Sequence, residues 1–158
     1  MGRTRTIVGV ISDTHGLLRP QALTTLDGAD LIIHAGDVGD PQILSQLRAI
    51  APTRAVRGNI DTGAWAAVLP MTDVVEMGAV HLYVLHDLAA LDLDPKAAGF
   101  AAVISGHTHR PAADVRNGVL YLNPGSAGPR RFKLPIAIAR LEIVGDRVSP
   151  EIIELVQS

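Results

Sequence analysis

Seven residues have the types and the spacing to do chemistry together. Asp13 and His15 stand two apart, as do His107 and His109, and Asp37, Asn59 and His86 lie between the two pairs. In extended backbone, residues two apart point the same way, so each pair can reach one point. Glycines precede Asp37, Asn59 and His107, which allows tight turns and close backbone approach. The chain has no cysteine, so the donors are oxygen and imidazole nitrogen alone. Such donors suit divalent Mn, Fe, Co, Ni or Zn. Seven are too many for one tetrahedral zinc and about right for two ions sharing a carboxylate. A two-metal centre lowers the pKa of bound water and clamps both oxygens of an in-line displacement. Two divalent ions outweigh Asp13, Asp37 and a bridging hydroxide in charge, and the positive remainder attracts a phosphate group. Phosphate-ester hydrolysis is the reaction such a centre serves best.

The places of these residues in the chain say what must hold them. Ile7–Ser12 runs into Asp13-Thr14-His15, and Leu31–Ala35 into Gly36-Asp37. Ala55–Arg57 runs into Gly58-Asn59-Ile60-Asp61, Val80–Leu85 into His86-Asp87, and Ala101–Ser105 into Gly106-His107-Thr108-His109. Continuous apolar runs are the pattern of strands buried on both faces. Ligand sites in open α/β sheets lie at the carboxyl ends of strands, so these ends are expected on one rim. Helices fit between the early runs. Arg19–Leu26 carries Ala22, Leu23 and Leu26 at helical spacing, and Asp40-Pro41 caps a segment carrying Ile43, Leu44 and Leu47. Asp94-Pro95 opens a third short helix ended by Gly99. The rest reads as hairpins: Thr72–Glu76 with Val80–Leu85, Ala112–Arg116 with Val119–Leu122 around Asn117-Gly118, and Ile136–Val144 with Arg147–Leu155. This order predicts an α/β chain with a mixed sheet, or two packed sheets, and helices outside. Pro124–Pro135, with basic Arg130, Arg131 and Lys133, reads as a long loop.

Composition narrows the choice. At 158 residues the chain is one domain, residues 1–158, and well short of the roughly 250 residues of a TIM barrel. Hydrophobic residues at 47% and charged residues at 19% fit a globular protein and not a disordered one. A net charge of −2 offers no basic excess, and 3% aromatics are too few for base stacking, so a nucleic-acid duplex is not an expected partner. No apolar run approaches the roughly 18 residues of a membrane span. The lack of cysteine fits a reducing interior, and a cytoplasmic location is expected. Met1–Thr6 matches the loose pattern for N-myristoylation, but the strand predicted from Ile7 argues against that use. Oligomeric state is not fixed, and a homo-oligomer stays open.

Five ordered segments together resemble the calcineurin-like metallophosphoesterases. They are Ser12-Asp13-Thr14-His15-Gly16, His34-Ala35-Gly36-Asp37, Gly58-Asn59-Ile60-Asp61, Gly106-His107-Thr108-His109 and Asn123-Pro124-Gly125-Ser126. The resemblance is to the small bacterial and archaeal phosphodiesterase branch, which includes the retromer subunit Vps29, and it runs from Ile7 to about Ile143. It implies two packed mixed β-sheets flanked by helices. It implies one metal on Asp13, His15, Asp37 and His109 and another on Asp37, Asn59, His86 and His107, with Asp37 bridging and Asn59 also touching the substrate phosphate. The implied substrate is a small phosphodiester, and manganese leads among the candidate ions. Two positions depart from the family pattern. Ile60 stands where many relatives have a histidine that protonates the leaving group, and an apolar residue cannot be a general acid. Asp87 follows His86 where glycine is usual, and could be an extra ligand or a partner of one.

Each residue also has a plainer reading. Asp61 either takes part in the site by orienting a neighbour or caps a turn. His34, inside an apolar run, reads as a satisfied core histidine, and His81 as solvent-facing. Trp65, Val68 and Leu69 read as a satellite core, and the basic loop as solvated. Three rival functions were weighed. A Vps29-like binding scaffold need not keep the ligand set that is complete here. A phosphomonoesterase asks for more help at the leaving group than Ile60 gives. Amidohydrolases place their His-x-His pair near the start of a longer barrel.

Overall fold

The computed structural model describes residues 5–155; the Met1–Thr4 part of the myristoylation-like segment lies outside them. In chain order the first half comprises β1 (Arg5–Ile11), α1 (Pro20–Leu26), β2 (Leu31–His34), α2 (Pro41–Arg48), β3 (Thr53–Ala55), α3 (Ala64–Ala67), β4 (Thr72–Met77) and β5 (Val80–Leu85). A turn of 3-10 helix at Leu88–Ala90 follows. Then come α4 (Pro95–Ala98), β6 (Ala102–Ile104), β7 (Ala112–Arg116), β8 (Val119–Asn123), β9 (Ala137–Val144) and β10 (Arg147–Glu154).

The strands form two five-stranded sheets, β10-β9-β1-β2-β3 and β4-β5-β6-β8-β7. Both are mixed: β1, β2 and β3 run parallel, as do β5, β6 and β8, while the hairpin partners run antiparallel. Between the sheets lies the main core, where Val8, Val10 and Ile33 meet Leu82, Val84, Ile104 and Leu122. The outer face of the first sheet is covered by α1 and α2, which bury Leu26, Leu44 and Leu47 against Ile11, Ile32 and Ile138. The second sheet's outer face is thinner, with Tyr83, Leu85 and Val103 under Leu88, Leu91 and Phe100. Strands covered on both faces explain the unbroken apolar runs.

Register places the site. Ile11 pairs with His34 and His34 with Ala55, so β1, β2 and β3 end level with one another. Val84 pairs with Ile104, which levels β5 and β6. The connections after these five strands therefore crowd one rim of the sandwich.

Four points differ from expectation. The third strand is Thr53–Ala55, not Ala55–Arg57, because β2 is paired only as far as Ala55. After that the Arg57 N–H turns away to Pro70 O. The four-residue helix α3 was not foreseen, being too short to show a period. Of the satellite core, Leu69 is buried and Trp65 packs partly, but Val68 is 81% exposed. In the long loop, 124–128 is buried and only 129–133 is exposed.

Candidate metal centre

The connections after β1 and β2 are zipped together by their backbones: Asp13 N–H donates to Gly36 O, His15 N–H to Asp37 O and Gly16 N–H to Val38 O, at 2.9–3.0 Å. In the second sheet, Gly106 N–H donates to His86 O at 2.9 Å. The two sheets are joined at this rim by His107 N–H, which donates to Asp13 Oδ2 at 3.0 Å.

Backbone conformation aims the side chains. Asp13, His15, Asp37, His107 and His109 all have positive φ, between 48° and 71°; among the described non-glycine residues only Asn117 and Phe132 share this. The left-handed region is costly for L-residues, and Asp, Asn and His tolerate it best. The Asp13–His15 and His107–His109 pairs are thus not in the extended geometry expected from their spacing: each ligand sits at a left-handed turn. Strain of this kind collects at functional sites.

The side chains meet around two carboxylates. Asp13 Oδ1 lies 3.3 Å from His109 Nε2, 3.7 Å from His15 Nε2 and 3.9 Å from His86 Nε2. Asp37 Oδ2 lies 3.2 Å from His86 Nε2 and 3.4 Å from His15 Nε2. Two clusters suit an ion, Asp13–His15–His109 and Asp13–Asp37–His86. Asp13 belongs to both, and Asp37 lies between His15 and His86. His107 stands outside both clusters. Asn59 is exposed on the rim. The His107 ring meets His86 edge-on at 5.2 Å, and its Nε2 lies 3.8 Å from Asp87 Oδ2.

Asp13, Asp37 and His86 each have one atom tied to the protein and another left over. Ser12 Oγ–H donates to Asp13 Oδ2 at 2.7 Å, leaving Oδ1. Ile60 N–H donates to Asp37 Oδ1 at 3.0 Å, leaving Oδ2. His86 Nδ1–H donates to Ala35 O at 2.8 Å, which fixes the tautomer and turns the Nε2 lone pair inward. Among the described residues, Asp13 Oδ1, His15 Nε2, His86 Nε2 and His109 Nδ1 are buried and find no hydrogen-bond partner. Buried polar atoms are rarely left so. A divalent cation bound by oxygen and imidazole would satisfy this donor set, so the residues fit a metal.

The electrostatics agree. Burial opposes charge on Asp37, but His86 and the Ile60 N–H outweigh it and hold the carboxyl at about 2. Burial likewise opposes protonation of His86, yet Asp37, Ala35 O and Asp13 raise its pKa. His109 is lowered, chiefly by burial, with Arg131 of the basic loop contributing.

Asn123 and Ser126 brace the ligands, a role the sequence does not show for them. Asn123 Nδ2 donates to Gly106 O and Thr108 Oγ1, and its Oδ1 accepts from Gly125 N–H, which ties the His107–His109 turn to β8. Ser126 Oγ–H donates to Asp13 O at 2.9 Å. The Asn123–Ser126 segment was the available signal. Asp61 is buried and accepts from the N–H groups of Val38, Gly39 and Gly58, clamping the Asp37 loop to the Asn59 loop. It positions the site and faces no other ligand. His34 is fully buried; its Nδ1 accepts from Gly36 N–H and its Nε2 meets Thr14 Oγ1. Burial, with His86 adding to it, pushes its pKa down to about 3, so the ring is neutral. Gly58 allows a close approach: a Cβ there would collide with Asp37 N and Oδ1.

Comparison with known proteins places this geometry. The model of the calcineurin-like phosphoesterase superfamily domain matches residues 7–146. A "Probable metallophosphoesterase" of Methanocaldococcus jannaschii is 36% identical over 94% of this chain and 81% of its own. Among solved structures, an archaeal phosphodiesterase superposes with a TM-score of 0.80 at 22% identity, covering 95% of this chain and 100% of that one. Vacuolar protein sorting 29 of Cryptosporidium parvum superposes at 0.78 with 19% identity, over 97% and 99%. These two structural likenesses concern the fold. The chain belongs to the calcineurin-like phosphoesterase superfamily.

Proposed function

We propose that this chain is a dinuclear metal-dependent phosphodiesterase that acts on a small phosphodiester, with manganese as the leading ion. The observation that carries the reading is the set of four buried, unpartnered ligand atoms gathered around Asp13 and Asp37. A scaffold has no use for them. Two divalent ions held there would supply an activated water and neutralise the phosphoryl oxygens.

The protein's own residues do the rest. Asp13 and Asp37 keep one oxygen each for the ions because Ser12 and the Ile60 N–H occupy the other. Asn59 stands at the rim, where its amide donates to a phosphoryl oxygen as charge develops. Asp61 fixes the direction of that loop. Ile60, 43% exposed at the next position, offers no proton. The leaving oxygen is therefore protonated from water, and esters with good leaving groups are favoured.

The test strips the protein with chelator and restores Mn, Ni, Co or Zn. Turnover of bis-p-nitrophenyl phosphate is then measured beside p-nitrophenyl phosphate. Metal-dependent turnover with the diester ahead is the expected result. A faster monoester would replace this reading with a phosphomonoesterase, and bound metal without turnover of either ester would favour the scaffold.

A further inference from the structure

A cavity of about 330 Å³ opens directly beside the centre, and its wall includes the two ligand positions Asn59 and His86. A phosphoryl group held at the centre would have this space beside it. Apolar lining comes from Met71 and Leu85. Two charged residues also line it, Arg57 and Asp87.

These two charges are not in the same condition. Asp87 is committed to the protein: Oδ1 accepts from Ala89 N–H at 3.0 Å and caps the 3-10 turn, while Oδ2 faces His107. Arg57 is uncommitted. Its Nε rests on Met71 Sδ at 3.3 Å, and among the described residues it has no carboxylate within ion-pair distance. Its neighbour along the chain, Arg54, shows the alternative, a two-pronged pair with Asp73 at 2.8 Å for both contacts. An arginine presents a rigid fork suited to carboxylate and phosphate, and one left unpaired beside a ligand cavity is a ready anion receptor.

Resting on the phosphodiesterase reading, we propose that this cavity is the subsite for one ester arm of the substrate. Arg57 is its specificity-determining residue, selecting an arm with an apolar or aromatic body and a second anionic group. The body lies against Met71 and Leu85. The anionic group, a carboxylate or a further phosphate, takes the guanidinium fork.

The test is equilibrium binding to the metal-loaded protein by calorimetry, with two stable diester mimics: phenyl methylphosphonate and 4-carboxyphenyl methylphosphonate. The carboxylated probe is expected to bind about tenfold more tightly, as a charge-assisted pair allows. In Arg57→Gln the preference collapses to within twofold, and Arg57→Lys, which keeps the charge, retains part of it. Met71→Trp, which fills the cavity from an exposed position, weakens both probes. Equal binding of the two probes to the unaltered protein overturns the proposal. So does a preference that survives Arg57→Gln, or binding indifferent to Met71→Trp. A probe preference that obeys these rules in a protein unable to turn over bis-p-nitrophenyl phosphate would sink the proposed reaction and leave the subsite standing. Diester turnover without the preference would do the reverse.

Discussion

The inner and outer parts of the centre are built by different means. Asp13, Asp37 and His86 are fixed by hydrogen bonds to Ser12, Ile60 and Ala35, and their loops lie on one another through glycines. Asn59, exposed, and His107, left-handed in backbone like Asp13, His15, Asp37 and His109 but with a side chain 38% exposed, stand at the rim. The inner part is therefore preformed, and its cost falls on folding. The outer part would be ordered by an ion and a substrate, and that cost would fall on binding. Damage to the two should differ in kind.

The largest effect is expected at Asp37. Asp37→Ala removes a carboxylate that lies within 3.4 Å of both His15 and His86. On the dinuclear reading, metal content should fall for both ions and kcat/KM by about a thousandfold or more. Elemental analysis with two metals retained would break the picture of a shared inner carboxylate. Asp61→Ala comes next and tests the folding side. Two buried N–H groups and that of exposed Gly39 lose their acceptor, so chemical denaturation should show a loss of roughly 2–3 kcal/mol. A loss of activity without that loss of stability would move Asp61 from bracing to chemistry.

His107→Ala tests the rim. One ion should weaken and turnover drop on the order of a hundredfold, while the denaturation midpoint of the metal-free protein barely moves, because the side chain is partly exposed. A large drop in that midpoint would erase the distinction between the two parts. The smallest effect belongs to pH. His34 has a folded pKa of about 3, below its ordinary value of 6.5. Its contribution to stability is complete above pH 6.5 and is lost as pH falls toward 3, because the unfolded chain takes up the proton first. At pH 5 the metal-free protein should have lost roughly 2 kcal/mol from this group. Denaturation midpoints that stay flat from pH 7.5 to pH 5 would contradict a neutral buried ring.

Much of this was legible in the sequence, for identifiable reasons. Strands covered on both faces leave unbroken apolar runs, so β1, β2, β5 and β6 stood out, and their polar ends named the candidate ligands. β3 was misplaced because Val56 continues the apolar pattern of Ala55 after pairing with β2 has ended. The handedness of the ligand turns was not legible, since Asp and His enter that region only when surrounding contacts enforce it. Nor were the bracing roles of Ser12 and Asn123. A serine or asparagine has many available partners, and Asn123 reaches across 17 residues of chain to Gly106. The same holds for Asp61, whose turn-capping and site-orienting readings could be separated only by its three N–H donors.

Five ligands held in left-handed backbone have a consequence outside catalysis. At roughly 1 kcal/mol for each such residue, the strain is comparable to a good part of a small domain's whole stability. Glycine, which would relax this strain, is barred from these positions by the need for a ligand side chain. An ion bound there stabilises only the folded chain, so its supply shifts the folding equilibrium by mass action. In a cell short of metal, this protein would become scarce as well as slow, because its unfolded fraction is what proteases remove.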